Sequence, residues 1–132
     1  MMLFYAHSGV RYLVLLVGAV ALAHAIFGAA TRRPYGRPML ALASTFAGLM
    51  HLQILLGLAL LFTDRFYPAL TGHIVLMVLA AAVAQIVPSV MRRRTPLERS
   101  FAPHVISVTV ALALITAGIV AIGRTPFGSS GG

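Results

Sequence analysis

The sequence predicts an all-α integral membrane protein, a four-helix up-and-down bundle whose two termini lie outside the cytoplasm. Composition is the first reason: 60% of the 132 residues are hydrophobic and only 9% are charged. Average soluble domains carry roughly 25% charged residues, and a chain this short lacks the interior to hide so much apolar surface from water. The bilayer is therefore the solvent that suits this sequence, and the length allows one domain.

Four apolar segments predict the number of helices. Each segment reaches the roughly 20 residues that cross about 30 Å of hydrocarbon, and open strands would leave backbone groups unpaired in lipid. The segments are 3–30, 39–62, 72–91 and 101–122. We expect one transmembrane domain over residues 1–122, followed by a flexible polar tail over 123–132.

The arginines predict the orientation of the bundle. The first and third polar turns carry Arg32, Arg33, Arg37, Arg92, Arg93, Arg94 and Arg99, whereas the other side carries Arg11, Arg65 and Arg124. Cytoplasmic turns hold the excess of basic residues, so both basic turns are expected on the cytoplasmic side of a bacterial inner membrane. The net charge of +8 is then topogenic and indicates no nucleic-acid partner. Small residues at 21–25 leave a signal-peptidase site open as an alternative.

Five histidines lie in the apolar segments, and they are the informative residues of this chain. Ionisable groups within membrane spans are costly and tend to face the bundle interior. At about 100° per residue, Arg11 shares a face with His7, and Met77 lies one turn from His73. The histidines are His7, His24, His51, His73 and His104.

A haem group suits the positions of these residues. In an up-and-down bundle the first and third helices are diagonal neighbours, so His7 and His73 are expected to face each other and to supply axial ligands to the haem iron. Arg11 can bind a haem propionate through its guanidinium. The chain has no cysteine, which excludes iron–sulfur clusters and covalently attached c-type haem.

Three other positions leave alternatives open. His51 lies in a stripe with Ser44, Gly48 and Leu55, and we predict that it faces inward. It can be the partner of His73 as a haem ligand, part of a quinone pocket, or a core histidine bonded to a backbone carbonyl or to Ser44. His24 and His104 share a depth near the cytoplasmic ends of their helices. They can hold a second haem or contact lipid headgroups. Met77 is a further candidate ligand, or core filler.

Three strings resemble small bacterial four-helix membrane proteins that are labelled cytochrome b. HSGVRYLVLL at 7–16 is similar to the opening of these proteins, HLQILLGL at 51–58 to their second helix and GHIVLM at 72–77 to their third. The resemblance covers most of the first three helices. It implies b-type haem and electron transfer, with His7, Arg11, His51 and His73 as the cofactor-binding residues.

The function predicted from these observations is a small membrane b-type cytochrome. It exchanges single electrons with a quinone, a periplasmic carrier or a larger respiratory complex, and it shows no constellation of residues for general acid–base or nucleophilic catalysis. One alternative is a non-catalytic accessory subunit of a larger membrane redox complex. Another is a copper-binding membrane protein that uses His7, His73 and Met77. A homodimer is left open, because small residues on lipid-facing surfaces permit close helix contact.

Overall fold

The computed structural model describes residues 2–63, 68 and 70–123, and these residues form four long α-helices and no strand. The predicted all-α class and the number of helices are confirmed. The four predicted segments match the helices to within a few residues at each end. The helices are α1 (Met2–Thr31), α2 (Arg37–Leu61), α3 (Leu70–Arg93) and α4 (Ala102–Ala121), with a short 3₁₀ turn at Pro96–Glu98.

The helices pack in a ring. α1 contacts α2 and α4, and α3 contacts the same two helices, so α1 and α3 lie diagonally across the bundle, as the sequence predicts. All four helices are long and apolar enough to cross a membrane, which is consistent with a multi-pass membrane protein. The predicted second turn at 64–67 and the tail at 124–132, with Arg65 and Arg124, lie outside the described residues.

Alanine is the commonest residue of the core among the described residues. Alanines on all four helices are buried, Ala21, Ala47, Ala84 and Ala111 among them, and a few large side chains such as Phe46 fill the remaining space. Small residues at helix contacts let backbones approach closely, which is the usual way in which membrane helices associate. Many large apolar side chains lie on the outer surface of the bundle.

The two basic turns meet at one end of the bundle. Arg32, directly after α1, lies in the left-handed region at φ 52°, and the N–H of Arg33 donates to the carbonyl of Gly28 at 3.1 Å, a pattern that satisfies the last carbonyls of a helix. A side chain at Gly28 would overlap the ring of Phe101. Arg99 donates to the carbonyl of Met91 at 2.8 Å. These contacts hold the turns against the helix ends.

Candidate functional site

A cavity opens between the four helices at the end of the bundle where α1 begins. Its empty volume is about 580 Å³ when the open mouth is counted. The described residues that line it are mainly apolar, with five polar side chains and no carboxylate among them. The polar ones are His7, Ser8, Arg11, Gln53 and His73.

His73 lines this cavity from the first turn of α3. Its Nδ1 is 2.8 Å from the carbonyl oxygen of Gly118 on α4, and because a carbonyl only accepts, Nδ1 carries the proton and donates. In the neutral imidazole the lone pair then lies on Nε2. Histidines that bind metals commonly donate their other ring nitrogen to a carbonyl in this way, which fixes the ring and the tautomer.

His7 lines the same cavity from α1. A Cβ placed on Gly57 of α2 would lie 3.4 Å from Cε1 of His7, so the imidazole packs over a position of α2 that carries no side chain. The backbone carbonyl of His7 accepts a hydrogen bond of 2.8 Å from the side-chain amide of Gln53. α2 therefore fixes both the backbone and the ring of His7.

Arg11 lies one turn deeper than His7 and is 7% exposed. One of its terminal nitrogens donates to the hydroxyl of Tyr12 at 2.8 Å, and its guanidinium lies 4.6 Å from the centre of the Tyr12 ring. Together with the absence of carboxylates from the described lining, Arg11 makes the cavity complementary to an anion. Three of the four residues predicted for the site, His7, Arg11 and His73, thus lie around one cavity.

The fourth predicted residue, His51, lies elsewhere, and its predicted inward orientation is not found. Its imidazole is exposed on the outer surface of α2, and Nε2 is 3.0 Å from the side-chain oxygen of Gln85 on α3. Met50 and Gln53 are the α2 residues that line the cavity instead. The reason is that the bulky Phe46 and Met50 take the core positions of α2, which turns the small-residue stripe outward.

His24 and His104 lie at the basic end, where aromatic side chains occupy the space around them. His104 is completely buried and its Nε2 is 2.7 Å from the hydroxyl of Tyr35, so the predicted headgroup contact is not found for it. The ring of Phe101 packs against both His24 and Tyr35. Burial raises the pKa of Tyr35, and the charges of Arg99 and Arg92 oppose this only in part.

Met77 and Gln53 complete the description of the cavity. The methyl group of Met77 fills the space that a Cβ on Gly118 would need. Met77 therefore packs beside His73 and also lines the cavity. Gln53 was not predicted as a site residue, although a single amide in the apolar run HLQILLGL was a signal for it. Its Oε1 is buried and has no hydrogen-bond partner in the described part of the chain.

The described residues contain no group of three or more His, Cys, Asp or Glu side chains that could hold a metal ion. His7 and His73 are the imidazoles among the side chains that line the cavity. No protein-family model, no curated protein and no solved structure matches this chain. The interpretation of the site therefore depends on its own residues.

Proposed function

We propose that this chain is a small b-type cytochrome of the bacterial inner membrane, with one haem held non-covalently in the cavity between α1 and α3. The observation that supports the proposal is that His7 and His73, on diagonal helices, line a single cavity together with Arg11. His51 is not part of this haem site, because it lies on the outer surface of α2.

The two histidines would hold the haem through its iron. His73 donates through Nδ1 to the Gly118 carbonyl, which holds the ring in one orientation and leaves the lone pair of Nε2 for the iron. His7 packs over Gly57, and this contact limits rotation of its ring. When bound, the haem iron supplies one-electron chemistry between its ferric and ferrous states.

The remaining lining suits the other parts of a haem. Side chains such as Val14, Ile115 and Ile119 surround the cavity with hydrocarbon and exclude water, which favours an apolar macrocycle. Arg11 supplies a positive charge that can bind a propionate in a bidentate manner. Its charge also favours the reduced, less positive state of the centre, so Arg11 contributes to the reduction potential.

The position of the cavity indicates a class of redox partner. It lies at the end of the bundle opposite the basic turns, and basic turns favour the cytoplasmic side. We therefore assign the cavity to the outer half of the membrane, with both termini outside the cytoplasm. A quinone in the outer leaflet, a periplasmic electron carrier or a larger respiratory complex can exchange electrons at this position.

We propose one haem for each chain. A second haem between His24 and His104 would displace the ring of Phe101 and break the hydrogen bond between Tyr35 and His104. A copper site built from His7, His73 and Met77 would have no third His, Cys, Asp or Glu side chain grouped with the two histidines among the described residues.

Absorption spectra of ligand variants test this proposal. We expect His7→Ala and His73→Ala, purified in detergent from haem-replete cells, to lose the Soret band and the split green bands of low-spin b-type haem, whereas the matched control His51→Ala retains them. Added imidazole should restore the spectrum to a folded His73→Ala protein, which separates loss of a ligand from loss of the fold. Retention of the native spectrum by both ligand variants would refute the assignment. A colourless wild-type protein that purifies with other subunits would favour an accessory role.

A further inference from the structure

Polar side chains lie on the outer surface between α2 and α3 in two hydrogen-bonded sets. His51 bonds to Gln85 at 3.0 Å, the Gln85 amide nitrogen donates to the Ser89 hydroxyl at 2.7 Å, and Arg92 donates to the Ser44 hydroxyl. Gly48 lies on α2 between Ser44 and His51. We call this surface the α2–α3 polar face; it consists of Ser44, Gly48, His51, Gln85, Ser89 and Arg92.

Part of this face lies at the depth of the membrane interior. His51 is the fifteenth of the 25 residues of α2, which places it within about 5 Å of the helix midpoint at a rise of 1.5 Å per residue. Hydrocarbon offers no hydrogen bonds to a polar group at that depth, and ionisable residues there usually face protein rather than lipid. An exposed imidazole in this position therefore favours a protein surface that covers it.

The hydrogen bonds determine what His51 offers to such a surface. Because the Gln85 nitrogen donates to Ser89, its oxygen is the atom that faces His51, so Nε2 of His51 is the donor of the pair. The neutral ring then keeps a lone pair on Nδ1, and Nδ1 has no partner in the part of the chain that the structure describes. The amide nitrogen of Gln85 retains a second N–H. The α2–α3 polar face thus presents both an acceptor and a donor.

The shape of the face permits another helix to approach. A Cβ added to Gly48 would meet nothing within 4 Å, so the surface above this residue is open. Ser44 and Gly48 are four residues apart on the same side of α2, the small-xxx-small spacing that lets two membrane helices pack closely. His51 follows one turn later and can supply the polar contact that accompanies such packing.

We propose that a second copy of this chain packs on the α2–α3 polar face to form a two-fold symmetric dimer. A two-fold interface places the same patch of both subunits together, so the patch must carry donors and acceptors at once, and this one does. The proposal is independent of the haem site, because no member of the face lines the cavity.

Cross-linking of single-cysteine variants tests the dimer directly, since the natural chain has no cysteine. The test variants are Leu52→Cys and Leu55→Cys, which lie beside the face. The controls are Leu16→Cys on α1 and Ile106→Cys on α4. Leu16 and Ile106 are 61% and 66% exposed, which matches the 64% exposure of Leu55. In lipid vesicles at a high lipid-to-protein ratio, we expect at least one α2 variant to form disulfide dimers on oxidation and both controls to remain monomeric. A disulfide requires Cα atoms about 4.4–6.8 Å apart.

Two substitutions test the contacts themselves. Gly48→Leu adds bulk where the monomer has open space and should abolish the dimer, whereas the control Gly9→Leu, also in open space on α1, should not. His51→Leu should raise the dimer dissociation constant by about tenfold, as expected for the loss of interhelical hydrogen bonds in a membrane. Equal cross-linking of α2 variants and controls would overturn the proposal. The proposal would also be overturned if the protein were monomeric and a lipophilic hydroquinone were bound to this face in place of a second copy.

Discussion

The hydrogen bond between Tyr35 and His104 provides a quantitative test of how the basic end is held together. The Tyr35 hydroxyl lies 2.7 Å from Nε2 of His104, a side chain that is completely buried. Nδ1 of His104 has no hydrogen-bond partner among the described residues. Tyr35→Phe therefore leaves both ring nitrogens of His104 without a described partner. Burying an unsatisfied polar group costs about 1–3 kcal/mol, so we expect the free energy of unfolding to fall by that amount.

Unfolding of the purified protein by SDS in mixed micelles measures this change. A double-mutant cycle with Tyr35→Phe, His104→Leu and the double variant isolates the pairwise term, which should be about 1 kcal/mol or more. Haem content should be unchanged in all three variants, because the bond lies at the end of the bundle opposite the cavity. The reasoning is refuted if Tyr35→Phe is neutral within about 0.3 kcal/mol or if the two single changes are additive.

The pH dependence of the same pair has a definite sign. Burial raises the pKa of Tyr35 above its ordinary value of 10.0, so the folded state favours the protonated hydroxyl. Its contribution is fully present below pH 10 and is lost as the pH rises through the raised pKa. The difference in stability between wild type and Tyr35→Phe should therefore be constant from pH 7 to 9 and should shrink only above about pH 10. A difference that disappears by pH 9 would contradict this.

Three further changes examine other parts of the account. Gly28→Ala places a methyl group 2.5 Å from the Phe101 ring. Its free energy of unfolding in SDS should be about 1–3 kcal/mol lower than that of the control Gly9→Ala. Equal stability of the two variants would show that the Phe101 ring moves freely. Arg11→Gln should weaken haem binding by about tenfold or more, because a charge-assisted hydrogen bond is lost, and it should also lower the reduction potential. Haem titration and redox titration measure the two effects, and Arg11→Lys should be intermediate in both. An unchanged haem affinity and an unchanged potential would show that Arg11 is not part of the site. His51→Leu should leave the haem content and spectrum of the protein unchanged. Loss of haem in this variant would indicate that His51 is a haem ligand.

The fold could be predicted from the sequence because the length of an apolar segment and the position of its polar turns depend on local sequence alone. The four segments and the diagonal relation of α1 and α3 follow from such local information. The cavity could be predicted in part for the same reason: His7 and Arg11 share one face of α1, and His73 begins α3 at a similar depth.

The orientation of α2 could not be predicted in this way. In a soluble helix, polarity separates the inner face from the outer one, but in α2 most side chains on both faces are apolar. Ser44 and Gly48 therefore indicated a helix-packing surface but did not show whether it faces the core or the outside of the bundle. The structure places both residues on the outside. The bond between Tyr35 and His104 joins positions 69 residues apart, so only the assembled bundle brings them together.

The most direct test of the central proposal is the haem content of the wild-type chain. We would purify it in detergent, record oxidised and dithionite-reduced spectra, and titrate the pyridine haemochrome against protein. The account predicts one b-type haem for each chain, with a Soret band that sharpens on reduction and a split pair of green bands. A folded, colourless protein from haem-replete cells would contradict it, and the cavity lined by His7, Arg11 and His73 would then require a different ligand.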